Sequence, residues 1–244
     1  MSTQTENKKI EQIRFEKLSF AYEAGETIFE SIDFDFPMNN FVWVRSGQTG
    51  AGRSTLLQIL SGLISPTKGS YFLNEQDVCE MTFEEFLPYR LSIGYSFDLG
   101  GLLHNKTLFE NLMLPILYHN RMSEPDAEKL ILKYMEDMGI IRFKDQRPSA
   151  VVGGVRKMTC LIRPLLLNPQ VLLLDEPSLG LGQDKMLKYF DLVNDLRKQG
   201  FANHVFVSTF DEKLMSLIEH KEIFIEHGMI HGEGLVEMKK VVHL

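Results

Sequence analysis

A glycine-rich segment connects a short apolar run at residues 41–44 to a helical pattern at residues 54–63. The segment consists of Gly47, Gln48, Thr49, Gly50, Ala51, Gly52, Arg53, Ser54 and Thr55. Glycines allow successive backbone N–H groups to converge on one anion, and a helix that begins here adds the positive end of its dipole. A plain glycine turn is the alternative interpretation. The apolar run and the helical pattern on either side favour a phosphate-binding loop, which requires strand, loop and helix in that order.

This segment fits the phosphate-loop template G-x-x-x-x-G-K-[ST] at every fixed position except one, where Arg53 replaces lysine. In the template the lysine contacts phosphate oxygens, and the next hydroxyl, here that of Ser54, binds Mg²⁺. A guanidinium has the same charge as an ammonium but is planar and larger, so the two cations are not interchangeable at fitted sites. We therefore expect phosphate binding to be weakened but not abolished.

A continuous apolar run at residues 171–174 ends in two acids, Asp175 and Glu176. Such a run predicts a strand that is buried on both faces. At the end of this strand the first carboxylate can hold Mg²⁺ through water, and the second can orient or deprotonate an attacking water. Adjacent acids can also form a solvated turn, but the phosphate loop upstream favours the catalytic interpretation of this pair.

The rest of the chain alternates strand patterns with helical patterns. Further strands are predicted at residues 13–20, 31–36, 70–73, 92–97, 204–207 and 222–225. Helices are predicted at residues 82–87, ending at Pro88, at 108–138, broken by Pro115 and restarted after Ser123, and at 156–167 and 183–199. The alternation predicts an α/β fold with a parallel sheet and right-handed crossovers, joined to an N-terminal antiparallel β layer.

We predict a single domain over residues 1–244, with an α-helical subdomain at about 98–156 inserted into a core at about 1–97 and 157–244. The net charge of -7 argues against nucleic acid as a partner, because phosphate-backbone binding uses clustered Lys and Arg. No apolar run reaches the roughly 18 to 20 residues of a membrane span, and the polar start at residues 1–9 lacks a signal-peptide segment. We therefore expect a cytoplasmic protein. Cys79 and Cys160 lie far apart, so neither a disulfide nor a zinc site is expected.

Further motifs surround the phosphate loop and the two acids in a fixed order. Tyr22 precedes the loop, and residues 149–157, which include Gly153 and Gly154, precede residues 167–170 and the acidic strand. With these motifs the chain resembles the ATP-binding subunits of ABC transporters over nearly its whole length. The resemblance implies a P-loop NTPase fold of the RecA-like type, with ATP and Mg²⁺ as cofactors. It also implies that Tyr22 stacks on adenine and that Gly153 and Gly154 form the family's signature loop.

The resemblance implies partners as well. In the family two subunits pair head to tail, and each ATP lies between the phosphate loop of one subunit and the signature loop of the other. The partner could be a second copy or a different ABC ATPase subunit, and the pair would dock on an integral membrane permease at the inner face of the cell membrane. Residues 97–103, 109–112 and 182–184 are similar to the ATPases of MCE-type phospholipid transporters, which implies lipid-related transport.

Besides Arg53, four positions depart from the family's pattern. Asp98 replaces a glutamine that touches Mg²⁺; aspartate is a competent metal ligand but is one methylene shorter. Phe210 stands where the family has a switch histidine beside the γ-phosphate, and its ring cannot donate a hydrogen bond. Val152 replaces the signature serine, and Gly182 replaces an aspartate of the following loop. We interpret the neighbouring His204 as an ordinary strand-edge residue and not as a substitute for the switch histidine.

These departures affect both halves of the implied site, while Asp175 and Glu176 are kept. We therefore expect an ATP-binding subunit with weak or absent hydrolysis, which acts as a degenerate partner or a regulator. Two alternatives stay open: an active transport ATPase that tolerates unusual residues, and a non-enzymatic scaffold. DNA-repair ATPases of the same superfamily are a weaker alternative, because they carry long coiled-coil insertions and only residues 98–151 are available here.

Overall fold

The computed structural model describes residues 7–23, 25–98 and 101–236. The polar start expected at residues 1–9 and the segment at residues 97–103 fall partly outside these ranges, because residues 1–6, Leu99 and Gly100 lie outside the described part of the chain.

The described residues form two sheets with helices between their strands. The strands are β1 (Ile13–Ala21), β2 (Thr27–Asp35), β3 (Phe41–Ser46), β4 (Lys68–Leu73), β5 (Gln76–Asp77), β6 (Ile93–Ser96), β7 (Val171–Asp175), β8 (His204–Ser208), β9 (His220–Glu226) and β10 (Met229–Val236). The α-helices are α1 (Arg53–Leu60), α2 (Phe83–Arg90), α3 (Leu108–His119), α4 (Glu124–Asp137), α5 (Gly153–Ile162), α6 (Gln183–Lys198) and α7 (Glu212–Met215). Among them no helix combines the length and the apolar character that crossing a bilayer requires.

The larger sheet has the strand order β10-β9-β3-β8-β7-β6. Its strands β9, β3, β8, β7 and β6 are parallel, and β10 is antiparallel to β9. The predicted parallel sheet is confirmed. Val44 of β3 pairs with Ser208 of β8, which pairs with Asp175 of β7. The loop after β3 and the acids at the end of β7 therefore meet at one edge of the sheet. β10 was not predicted, because Gly232 and Gly234 interrupt the alternation of its side chains.

The smaller sheet is antiparallel, with the order β2-β1-β4-β5, and it is the predicted N-terminal β layer. Its β2 begins at Thr27, four residues earlier than the alternating pattern indicated. The pairing of β1 with β2 shifts register where Lys17 adopts a φ of 47°. Gly69 of β4 approaches this point so closely that a Cβ would lie 2.2 Å from the Lys17 carbonyl oxygen. Glycine is therefore required there.

Strand β7 separates the two halves of the hydrophobic core, as its uninterrupted apolar run predicted. Leu172 and Leu174 pack with helices α3, α5 and α6 on one face. Val171 and Leu173 pack on the other face with α1 and the antiparallel layer. Every residue of β7 is buried, and full burial of one such side chain contributes about 1.5–3 kcal/mol. The strand that carries Asp175 is thus fixed from both sides.

The two predicted proline breaks are wrong. Helix α3 runs through Pro115 to His119, and α2 runs through Pro88 to Arg90. A proline within a helix removes one hydrogen bond to the carbonyl four residues earlier. In α3 the buried side chains Leu112, Met113 and Ile116 on either side of Pro115 keep the helix packed on the core. The helix ends instead at Asn120, which takes a left-handed conformation.

The predicted helix at residues 156–167 is also corrected. Helix α5 begins earlier, at Gly153, and at Arg163 the chain changes to a 3₁₀ helix that continues to Leu167. Pro164 has no N–H group for an α-helical bond, which accounts for the change at this point. Helices α3 and α4 lie within the span expected for the helical subdomain, whose boundaries at residues 98 and 156 stay a prediction. Cys160 of α5 is buried.

His204 is a buried residue at the start of the central strand β8, not an ordinary residue at a strand edge. Its Nδ1 accepts a hydrogen bond from the Asn39 N–H at 2.8 Å, so the proton of the neutral ring lies on Nε2. That proton is donated to the Ile10 carbonyl oxygen, also at 2.8 Å. Burial lowers the pKa of His204. The hydrogen bond to the Ile10 carbonyl oxygen raises this pKa, and the charge of Arg197 lowers it.

We expect the stability of the protein to decrease as the pH falls below about 6.5, the pKa of an unfolded histidine. Above that pH His204 is neutral in both states; below it the unfolded chain takes up the proton more readily, which favours unfolding. Urea midpoints at pH 7.5 and 5.5 measure the change. His204→Gln should show a smaller decrease, and the exposed His231→Gln should behave as the unmodified protein. Equal decreases in all three proteins would contradict this role of His204.

Candidate functional site

The glycine-rich loop lies between the end of β3 and the start of α1, as the sequence predicted. Gly50 and Gly52 have φ values of 82° and 101°, a region that favours glycine. A Cβ at Gly52 would also lie 2.5 Å from Cγ2 of Ile28. The Ser46 hydroxyl donates to the Gln48 carbonyl oxygen at 2.8 Å. The amides of the first turn of a helix have no intrahelical acceptor, so the loop presents donors to an anion at the start of α1.

A cavity of about 460 Å³ opens in front of this loop. It is lined by Tyr22, Glu26, Ile28, Thr49, Gly50, Ala51, Gly52, Arg53, Ser54, Thr55, Asp98, Glu176 and Phe210. The structure thus brings together most of the residues that the sequence proposed for a phosphate ligand. Gly47, Gln48 and Asp175 lie beside the cavity but do not line it, and Gly153 and Gly154 are at the start of α5. Glu26 and Ile28 were not expected in this group.

Tyr22 lies at one wall of the cavity, with 42% of its surface exposed. Its hydroxyl makes a 3.0 Å hydrogen bond with Oγ1 of Thr55, and its ring meets Phe20 edge to face, with 4.9 Å between the centroids. The hydrogen bond and the ring contact fix the orientation of the phenol. An exposed, oriented aromatic ring at this place is suited to stacking on a flat ligand.

Arg53 forms an ion pair with Glu176, in which Nη2 lies 2.7 Å from Oε1. The guanidinium carbon of Arg53 also lies 3.6 Å from the centre of the Phe210 ring, a cation–π contact. The side chain of Arg53 is only 10% exposed and that of Glu176 22% exposed. The sequence assigned Arg53 to phosphate, Glu176 to water and Phe210 to the lost switch position. It did not predict that Arg53 contacts both of the other side chains.

Glu176 is held from the opposite side by Thr209, another residue that the sequence analysis missed. The Thr209 hydroxyl donates to Oε2 of Glu176 at 3.2 Å, and the Trp43 indole N–H donates to the Thr209 carbonyl oxygen at 2.9 Å. The backbone of Glu176 has a φ of 42°, a left-handed conformation that costs a non-glycine residue roughly 1–2 kcal/mol. Its N–H is bonded to the Ser208 carbonyl oxygen. These bonds keep Glu176 in an otherwise unfavourable conformation.

Asp175 is buried at the end of β7, and the hydroxyl of Tyr95 lies 3.4 Å from its Oδ2. Burial raises the pKa of Tyr95, and the Asp175 carboxylate raises it further. Within the described residues, Oδ1 of Asp175 and the buried Oδ1 of Asp98 have no hydrogen-bond partner. Buried oxygens of this kind are rare without a partner. They are of the type that Mg²⁺ prefers, and the exposed hydroxyl of Ser54 is the third candidate ligand.

Within the described ranges no three His, Cys, Asp or Glu side chains are grouped in a way that could hold a metal ion by themselves. A cation at this edge of the sheet would therefore take ligands from an anionic partner as well. Mg²⁺ commonly binds in this manner, through one or two carboxylates and the phosphates of a substrate. Asp175, Asp98 and Ser54 fit a Mg²⁺ ion that arrives with phosphate.

Lys157 connects three parts of the site, although the sequence analysis gave it no role. Its Nζ donates to the carbonyl oxygens of Phe97, Asp98 and Asp175 at 3.3, 3.0 and 3.1 Å. It also lies 3.8 Å from the Asp98 carboxylate. Burial lowers the pKa of Lys157, and the Asp98 carboxylate opposes this shift. A lysine among apolar neighbours in α5, including Met158, is the sequence signal that could have identified it.

The segment at residues 149–157 places Gly153 and Gly154 in the first turn of α5, and Val152 before them is 71% exposed. A Cβ at Gly154 would lie 3.0 Å from the Gly180 carbonyl oxygen, so the glycine permits this close approach. The Arg156 guanidinium donates to the carbonyl oxygens of Pro148 and Val151. The start of α5 is therefore an ordered surface with exposed amides and no hydroxyl at residue 152.

Replacement of Lys157 by methionine should destabilise the protein by about 1–3 kcal/mol, because buried carbonyl oxygens would lose their donor. Chemical denaturation of Lys157→Met measures this loss. The exposed Lys129 on α4 provides the control, since Lys129→Met removes a charge without releasing a buried partner. Equal stability of the two variants would show that the bonds of Lys157 are of no consequence to folding.

The sequence profile described as ABC transporter matches residues 29–179, which is more than half of the 244 residues. A protein of Methanosarcina acetivorans described as an ABC transporter ATP-binding protein is 31% identical over 228 residues, covering 90% of this chain and 81% of that protein. A phosphonates import ATP-binding protein of a Synechococcus species is 27% identical over 229 residues, covering 91% and 84%.

The structure is similar to a bacterial ABC transporter cassette that was solved as a dimer, with a TM-score of 0.81. The match covers 94% of this chain and all of that cassette at 24% identity, so it shows a common fold. The family profile and the relative at 31% identity go further than the fold. Together with the loop, the acids and the cavity between them, they show that this chain belongs to the ABC transporter family, as an ATP-binding domain.

Proposed function

We propose that this chain binds ATP with Mg²⁺ in the cavity beside the glycine-rich loop and hydrolyses it slowly or not at all. The observation that carries the proposal is the contact of Arg53 with both Glu176 and Phe210. The cation expected at phosphate is bonded to the carboxylate expected to act on water. Phe210, whose ring lies over the Arg53 guanidinium, offers no hydrogen-bond donor.

Several features support ATP as the ligand. The first-turn N–H groups of α1 can donate hydrogen bonds to the phosphates, and the exposed ring of Tyr22 can stack on the base. The oxygens of Asp175 and Asp98 that lack a hydrogen bond within the described residues, together with the hydroxyl of Ser54, can hold Mg²⁺. When bound, this ion supplies positive charge against the phosphate oxygens. The residues of the chain thus account for the base, the phosphates and the metal separately.

Slow hydrolysis follows from the surroundings of Glu176. Oε1 of Glu176 is bonded to the Arg53 guanidinium at 2.7 Å, so this oxygen is not available to bond an attacking water. Phe210 cannot donate a hydrogen bond to a phosphate oxygen. Removal of one such transition-state donor typically slows a reaction about 10²- to 10³-fold. Glu176 itself is kept and is held by Thr209, which favours residual hydrolysis as the second candidate activity.

We further propose that the chain works as a peripheral subunit on the cytoplasmic face of a membrane, with a permease and a second ABC ATPase subunit. The cargo is the least constrained part of this proposal. The resemblance at residues 97–103 supports a lipid-related cargo, and the name of the Synechococcus relative refers to phosphonates. Isolation of the subunit with its native permease, followed by analysis of co-purified lipids, tests the lipid proposal.

The purified chain should bind ATP in the presence of Mg²⁺ and should release phosphate slowly. Isothermal titration calorimetry measures binding, and a coupled assay measures phosphate release with Glu176→Gln as the control. Absence of binding would contradict the proposal and favour the scaffold interpretation. Rapid phosphate release that Glu176→Gln abolishes would instead identify an ordinary active ATPase.

The double variant Arg53→Lys with Phe210→His should release phosphate roughly 10- to 100-fold faster than the unmodified chain. The histidine restores one hydrogen-bond donor, and the lysine removes the planar cation that pairs with Glu176. The same pair of changes with Glu176→Gln added should return the rate to background. An unchanged rate in the double variant would place the cause of slow hydrolysis elsewhere in the site.

A further inference from the structure

We propose that Arg53 is a nucleotide-gated latch on Glu176: the guanidinium is shared between the carboxylate and the phosphates of the ligand, and Phe210 sets the balance. This inference rests on the proposed binding of ATP in the same cavity. It assigns a function to the two substitutions together and not to either one alone.

The first argument is the burial of the ion pair. Arg53 and Glu176 are 10% and 22% exposed, and loss of one partner from such a pair leaves a poorly solvated charge. Arg53 therefore leaves Glu176 only when another anion replaces the carboxylate. The phosphates of a nucleotide are the anions for which this cavity is built, because the first-turn amides of α1 line the same space.

The second argument is the unused hydrogen-bonding capacity of Arg53. Its Nη2 bonds to Glu176, whereas the buried Nη1 has no partner in the described part of the chain. A guanidinium is a planar fork that binds carboxylate or phosphate best with two parallel bonds. The present arrangement uses one bond to Oε1 of Glu176, while Oε2 is engaged by Thr209. A phosphate that offered both of its oxygens would satisfy Arg53 more fully than Glu176 does.

The third argument is the position of Phe210. Its ring covers one face of the guanidinium at 3.6 Å and is itself 46% exposed. A cation–π contact of this kind is attractive, and it strengthens as the cation is removed from water. The ring thus stabilises the position of Arg53 that holds Glu176, and it does so without competing for hydrogen bonds. A histidine at residue 210 would compete for Glu176 or for phosphate.

Removal of Glu176 should therefore increase the affinity for ATP, and the increase should depend on Arg53. The experiment measures the ATP dissociation constant of four proteins: the unmodified chain, Glu176→Gln, Arg53→Ala, and the two changes combined. EDTA is present throughout, so that the carboxylates have no metal to bind. If Arg53 acts as a latch, Glu176→Gln should bind ATP at least about tenfold more tightly than the unmodified chain. The double variant should bind ATP less than about twofold more tightly than Arg53→Ala alone.

The double-mutant cycle separates the latch from simple charge repulsion between Glu176 and phosphate. Repulsion would give the same increase in affinity with and without Arg53, and that result would overturn the inference while the proposed function stands. A decrease in affinity in Glu176→Gln would overturn it as well. If ATP bound to none of the four proteins in EDTA, the latch would fail, whereas the calorimetric titration with Mg²⁺ tests the proposed function separately.

A chemical measurement gives a second, independent readout. Phenylglyoxal modifies accessible guanidinium groups, and peptide mass spectrometry follows the modification of each arginine. Modification of Arg53 should be at least threefold faster in Phe210→Ala and in Glu176→Gln than in the unmodified chain. Arg45 is the internal control, because it lies over the ring of Trp43 and pairs with Glu222 in a matching arrangement. Its rate should not change, and an unchanged rate for Arg53 in both variants would contradict the latch.

Discussion

The site depends above all on the register of three parallel strands. Val44 pairs with Ser208 and Ser208 pairs with Asp175, so the carboxyl ends of β3, β8 and β7 lie side by side. A slip of one residue in β7 would turn Asp175 to the opposite face of the sheet. Such a slip would also exchange the side chains that pack into the two halves of the core, because each face of β7 packs into a separate half. The hydrophobic core and the arrangement of the acids are therefore determined by the same pairing.

The sequence predicted the parts of the fold that depend on local spacing. It predicted less where contacts between distant residues determine the structure. The loop at Gly47–Thr55 and the strand before Asp175 are defined by their own residues, so their positions could be inferred. Pro115 was taken as a break because its missing bond is visible in the sequence, whereas the packing that keeps α3 intact is not. The roles of Lys157 and Thr209 could not be predicted, because only the fold brings Lys157 to its carbonyl oxygens and Thr209 to the Glu176 carboxylate.

The unusual residues of the site are easier to explain together than one at a time. An ammonium in place of the Arg53 guanidinium would lack the flat surface that Phe210 covers. A histidine in place of Phe210 would offer a polar edge near Glu176 and would weaken the hold of Arg53 on that carboxylate. Arg53 and Phe210 thus make a contact that depends on both residues. The chain therefore carries an internally consistent set of contacts, not a site that has lost residues at random.

The exposed start of α5 sets a further condition on how such a subunit is used. In a head-to-tail pair of two identical copies, each nucleotide would meet Arg53 and Phe210 on one side and Val152 on the other. Both sites would then lack the phosphate donors of residues 152 and 210. The partner could instead be a subunit that has the family's usual residues. One site would then combine Arg53 and Phe210 with the partner's signature serine, and the other would combine Val152 with the partner's phosphate-loop lysine. Separation between two sites leaves each nucleotide with fewer missing groups, and the costs of losses within one site do not simply add. Because the resemblance places Val152 and Phe210 on opposite halves of the composite site, we propose an asymmetric pair as the arrangement to test where turnover is required.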